Sequence, residues 1–206
     1  MSETRLLSTC DIFDYEIISE AIRPDPNDSG KLTKKVMMKG VLQKADTLNQ
    51  NGRVYPSSVL EREIRNYQKF IIENRALGEL DHPDTSVVNL KNASHIIREA
   101  YVQSGVVYGT VEVLNTPSGM ILQSLIESGV KLGISSRGVG TTKKQGDYQV
   151  VQDDFQLICW DFVSEPSTPG AFMIPEGKII TETDLKTVFR KSDRIDRILN
   201  DILLIN

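Results

Sequence analysis

Short apolar runs separated by tight turn signals fill the middle of the chain, and they limit the possible folds more than any other feature. From Val36, the run "VMMKGVLQKADTL" ends at "NQNGR", whose Asn51-Gly52 pair is a strong turn dipeptide. "SHIIREAYVQ" and "VVYGTVEVL" flank Ser104-Gly105 in the pattern of a tight hairpin. Further on, "VKLGISSRGVGTT", a polar turn "KKQGD", "YQVVQ" and "FQLICWDFV" follow one another directly. Strands that follow strands over such short turns belong to an α+β fold with an antiparallel body, not to βαβ units. A barrel-like closure with peripheral helices is the preferred arrangement, because closure removes exposed strand edges.

Two segments within this region read as helices. In "VYPSSVLEREIRNYQKFIIENRALG", Val59, Leu60, Ile64, Tyr67 and Ile71 recur at helical spacing, Pro56 suits the first turn and Gly78 suits the end. "TPSGMILQSLIESG" reads as a shorter helix with Ser118 as its cap and Gly129 at its end. Residues 1–35, which contain the loop signal "RPDPNDSG", read as a peripheral segment. Residues 36–176 form the expected main domain. Its end, "PSTPGAFMIPEG", is too rich in Pro and Gly for a regular element. Residues 177–206 read as an amphipathic tail, with Leu185, Val188, Phe189, Ile195, Ile198, Leu199, Ile202 and Leu203 on one helical stripe.

Composition narrows the function classes. With 206 residues, 39% hydrophobic and 25% charged, the chain can bury a real core. A net charge of −4 argues against broad nucleic-acid binding, which needs clustered Lys and Arg; a local patch stays open, and no specific nucleic acid is expected as a partner. Cys10 and Cys159 form no CxxC pair, so neither a disulfide framework nor a zinc knuckle is expected, and a reducing compartment is. No apolar stretch is long enough to span a bilayer, and "MSETRLLSTC" does not read as a secretion signal.

Three motifs carry candidate chemistry. His82, one of two histidines, stands in "LGELDHPDTSVV" on a loop, where imidazole could act as a general base or simply pair with Asp81 or Asp84. A metal site from Asp81, His82, Asp84 and His95 has no recognised ligand spacing. "GISSRGVG" offers two adjacent serines after a strand-like run, suited to a nucleophile or to a polar strand end. It is not GxSxG, so a nucleophile elbow is not implied. In "FQLICWDFV", alternation puts Asp161 among apolar residues. A buried carboxylate there needs a partner, either a histidine or an Arg or Lys. His95 lies on a mixed strand face and reads as structural.

"GELDHP", "GISSRGVG" and "WDFVSEPSTPGA", together with "NGRVYPSSVLEREI" and "VVYGTVEV", resemble in order the head-maturation (prohead) proteases of T4-like tailed bacteriophages over residues 36–176. The resemblance implies a serine endopeptidase without a cofactor and with a fold like the herpesvirus assemblin. It implies action in the host cytoplasm, inside the immature prohead, on scaffold, internal and major capsid proteins, at sites where Glu follows an aliphatic residue by two positions. It also allows self-association. A non-enzymatic, scaffold-associated assembly protein with a related β fold is the alternative.

Carried over by motif, His82 matches the general base and Ser135 the nucleophile, with Ser136 as the alternate. No histidine follows the serines, so either a carboxylate serves, with Asp161 matching the third member and Glu165 as the competitor, or the enzyme is a dyad. Backbone N–H groups near Arg137 and Gly138 are the implied oxyanion donors. Ile174-Pro175-Glu176 fits the implied cleavage pattern, so self-cleavage after Glu176 is expected to release the tail.

Overall fold

The structure, a computed structural model, describes residues 5–11, 15–25, 28–130 and 132–164, with side-chain environments from Val36 onward. The described chain runs β1 (Arg5–Asp11), β2 (Tyr15–Asp25), β3 (Asp28–Lys44), β4 (Arg53–Val54), α1 (Ser57–Ile72), β5 (Leu77–Glu79), β6 (Ala93–Gln103) and β7 (Val106–Val113). It continues with α2 (Pro117–Glu127), β8 (Gly133–Gly140), β9 (Thr142–Gln145), β10 (Tyr148–Val151) and β11 (Gln156–Val163). Neither helix is long and apolar enough to cross a membrane. The Pro-rich segment from Pro166 and the amphipathic tail lie outside the described residues.

Local chemistry explains several element ends. Ser104 and Gly105 both take positive φ, 51° and 76°, which matches the twist of the β6–β7 hairpin. The turn between β9 and β10 uses Gly146 at φ 62°. Helix α1 follows its apolar spacing but ends before Gly78, the expected stop. It closes at Ile72, Asn74 turns the chain at φ 54°, and Gly78 belongs to β5 instead of ending the helix. The cap of α2 is Thr116, not Ser118. The Thr116 hydroxyl accepts the Gly119 N–H at 3.0 Å, and Pro117 fills the first helical position.

The strands form three sheets, in the orders β1-β8-β11, β4-β10-β9 and β2-β3-β7-β6-β5. All pairings within them are antiparallel except β4 with β10. The fold is α+β as expected, but the described sheets do not close into one barrel. The first 35 residues supply two strands and the start of a third: β1 pairs with β8 from Ile134 to Gly140, and β2 pairs with β3. The β1–β8 pairing joins segments far apart in sequence, which local propensity does not show, whereas β2 pairs with the strand that follows it and its polar, Pro-containing sequence hides that pairing.

The core packs α1 and α2 onto β6, whose residues 93–97 are all buried, so its first half does not alternate. Val59, Leu60, Ile64 and Tyr67 form the inner face of α1, and Tyr67 meets Trp160 of β11 edge-on at 4.9 Å. The same face carries a charge. The Glu63 carboxylate accepts the Leu157 N–H at 2.8 Å, and Arg62 donates to the Phe155 carbonyl at 2.7 Å. Helix α1 thereby fastens the start of β11, beside a β-bulge between Leu157 and Cys159.

Strand β5 reaches β11 through a parallel bridge from Leu80 to Phe162 and the Asp81 N–H to Phe162 O bond of 2.8 Å. Gly78 makes this approach feasible: a Cβ there would lie 2.0 Å from the Trp160 carbonyl oxygen and 2.3 Å from His95 Nε2. Because one contact is rigid backbone, Gly78→Ala is expected to destabilise the fold by about 3 kcal/mol, the upper end of ordinary overpacking. Denaturant unfolding of the purified variant measures this.

Candidate active site

Strands β8 and β11 hold the candidate residues in a fixed register. Asp161 stands opposite Ser135, and Cys159 opposite Arg137, so these four side chains share one face of the sheet. Ile134, Ser136, Trp160 and Phe162 take the other face. The bulge between Leu157 and Cys159 breaks simple alternation along "FQLICWDFV", which is why one apolar-polar pattern cannot be traced through it.

His82 arrives from β5 through a sharp turn. Asp81 takes φ 70°, a left-handed conformation that Asp tolerates better than most residues, and its carboxylate accepts the His82 N–H at 3.0 Å. With Asp81 also anchored to Phe162 O, the imidazole is directed at the β8–β11 face. His82 Nδ1 lies 2.7 Å from Asp161 Oδ2, and His82 Nε2 lies 3.4 Å from Ser135 Oγ. An ionised Asp161 can only accept, so Nδ1 carries the proton and Nε2 is left as the acceptor facing Ser135.

Burial differs across this line. Asp161 is fully buried, Ser135 nearly so, and the His82 side chain is 21% exposed, which leaves access from its side. Burial pushes the Asp161 pKa up. Hydrogen bonds from His82 and from the Glu79 N–H, at 2.9 Å, and the charge of Arg137 outweigh it, so the pKa falls below the ordinary carboxylate value. Asp161 is therefore ionised at neutral pH.

Arg137 and Glu79 complete the surroundings of the acid. The Arg137 guanidinium is fully buried, with Nη2 donating to Glu79 Oε1 at 2.7 Å and to Asp161 Oδ1 at 3.2 Å. Its Nε lies 2.9 Å from Asp161 Oδ2, and its Nη1 donates to the Thr85 carbonyl at 3.0 Å. Burial opposes the Arg137 charge, but Cys159, Glu79 and Asp161 more than offset this and raise its pKa. Sequence reasoning noted only the backbone of Arg137 and passed over Glu79. The signal was a lone acidic residue inside the short strand-like run "LGEL".

The remaining expectations separate cleanly. Ser136 is buried on the sheet face opposite His82, in register with Trp160. Arg137 and Gly138 lie inside a strand paired on both sides, with β1 and with β11, and not on a loop. His95 is fully buried in β6, with Nδ1 at 2.9 Å from Ser94 Oγ and Nε2 at 3.0 Å from Trp160 O. Burial lowers its pKa to about 4, so it is a neutral core residue and not a partner of His82. Among the described residues, no group of three or more His, Cys, Asp or Glu is arranged to hold a metal ion. Glu165 and Glu176 lie outside the described residues.

A serine facing an imidazole, with a buried carboxylate behind that imidazole, is an arrangement able to perform acyl transfer. Comparison with known proteins points the same way. The family described as "Prohead core protein serine protease" matches residues 2–185. A relative named "Prohead core protein protease", from Enterobacteria phage T4, is 34% identical over 164 residues, covering 77% of this chain and 76% of its own length. The solved structure of the bacteriophage T4 capsid assembly protease superposes with a TM-score of 0.71 at 28% identity, over 80% of this chain and 99% of that one. The chain thus belongs to the prohead core protein serine protease family.

Proposed function

We propose that this protease acts through Ser135 as nucleophile, His82 as general base and Asp161 as the residue that orients and stabilises the imidazole. The observation that carries this reading is the unbroken line from Asp161 Oδ2 to His82 Nδ1, 2.7 Å, and from His82 Nε2 to Ser135 Oγ, 3.4 Å. The second contact is long for a hydrogen bond, as such contacts often are before substrate binds. In the reaction, Ser135 Oγ attacks the scissile carbonyl while its proton passes to His82 Nε2. The imidazolium then gives that proton to the leaving amine, and water repeats the cycle on the acyl-enzyme. Ser136 is not used, because β8 turns it away from His82. The oxyanion role expected of the backbone at Arg137 and Gly138 is not carried into this reading, since both lie inside a paired strand.

The substrates in this reading are the scaffold, core and major capsid proteins of a phage prohead, cleaved inside the immature head in the host. Support for this comes from the capsid assembly role named for the T4 protease of similar structure. Cleavage is proposed after Glu in aliphatic-x-Glu sequences, and the chain carries such a site at Ile174-Pro175-Glu176.

Two experiments test these assignments. Ser135→Ala and His82→Ala are each expected to lower cleavage of a co-expressed scaffold protein by about 10⁴-fold or more, whereas Ser136→Ala keeps activity within about tenfold. Loss of activity in Ser136→Ala with retention in Ser135→Ala would reverse the assignment. Intact-mass analysis of the active enzyme is expected to show removal of residues 177–206, and Ser135→Ala is expected to keep them. An active enzyme that retains its full mass contradicts self-cleavage at Glu176.

A further inference from the structure

Behind His82 the buried charges number three, not two. Arg137 sits between Glu79 and Asp161, within 2.7 Å of the first and 2.9 Å of the second, and all three side chains are fully buried. One guanidinium and two carboxylates leave a net charge of −1. The other titratable groups facing Asp161 do not offset it. Burial pushes the Tyr67 phenol of α1 and the Cys159 thiol of β11 up, and lowers His95 of β6 to about 4, so all three are neutral near pH 7. Among the described residues facing Asp161, His82, 2.7 Å away, is the one left to supply the missing positive charge.

Hydrogen bonding alone does not explain why Glu79 is a carboxylate. Its Oε1 accepts both from Arg137 and from the Asn89 N–H at 3.0 Å, two bonds that an amide oxygen also has the lone pairs to accept. Its Oε2 is buried with no hydrogen-bond partner among the described residues. Burying a charge is unfavourable where a neutral amide would serve, so the charge itself needs a reason. An Arg137–Asp161 pair without Glu79 would be neutral and would give an imidazolium little support.

We propose that Arg137 and Glu79 are positioning residues for the reaction proposed above: Arg137 fixes Asp161 and the His82 loop, and Glu79 takes up the Arg137 charge so that Asp161 remains an effective anion toward His82. The loop is held at two points, Thr85 O by Arg137 and Asn89 N by Glu79. Arg137 lies two residues from Ser135 on β8, so one side chain connects the segments carrying nucleophile, base and acid.

The proposal rests on the triad reading, and the test separates the two. In full-length Ser135→Ala protein, NMR titration of His82 is compared with the same protein carrying Glu79→Gln. Glu79→Gln keeps both hydrogen bonds and removes one buried negative charge, so the His82 pKa is expected to fall by about one unit, a tenfold change in proton affinity. In the enzyme with Ser135 intact, kcat falls while KM stays within about twofold. An unchanged or raised His82 pKa overturns the proposal. If Glu79→Gln does not fold, Arg137→Lys decides, since lysine keeps the charge but loses the fork. Its kcat is expected to fall about 10²-fold with KM within about twofold, and a loss confined to KM, or no loss, overturns the proposal. Cleavage by Ser135→Ala would instead sink the triad, independently of either result.

Discussion

A carboxylate carried fully buried and ionised is the constraint on which the site depends. Water cannot solvate Asp161, so protein groups must, and four of them do: the His82 ring, the Glu79 N–H, the Arg137 guanidinium and the Cys159 thiol at 3.4 Å. Each comes from a segment that must then stay in place. Removing one partner of such a buried set leaves an uncompensated charge and is strongly destabilising. Satisfying Asp161 therefore also organises the site.

The rest of the fold can be read as the means of bringing those segments together. Register between β8 and β11 sets Ser135 opposite Asp161, so one serine of the pair faces the acid and the other faces Trp160. Helix α1 holds the start of β11 through Glu63 and Arg62, next to the bulge that precedes Cys159. Gly78 lets β5 lie against the Trp160 carbonyl, and the left-handed Asp81 turns the next residue, His82, onto the catalytic face. The motif "GELDHP" thus combines a charge partner, a turn and a base in six residues.

Much of this was legible in the sequence, for identifiable reasons. Hairpin chemistry at Ser104-Gly105 and helical spacing in α1 are local signals, and both elements formed where those signals lay. The motifs around His82, Ser135 and Asp161 pointed to residues that the fold brings together. Non-local features stayed hidden. Strand β1 depends on a distant partner, the end of α1 ahead of Gly78 depends on β5 joining β6, and full barrel closure was a preference that the three described sheets do not meet. The choice between the adjacent serines requires register, which one strand cannot supply by itself. Glu79 was passed over because a short run such as "LGEL" does not show that its acid is fully buried.

Covalent labelling tests the central claim most directly, because it reads which hydroxyl His82 activates. The active enzyme is treated with a fluorophosphonate, which transfers its phosphonyl group to an activated serine with loss of fluoride, and the modified peptide is sequenced by fragment-ion mass spectrometry. The account predicts a single phosphonyl group on Ser135. A label on Ser136, or an enzyme that keeps cleaving while Ser135 is fully modified, would contradict it.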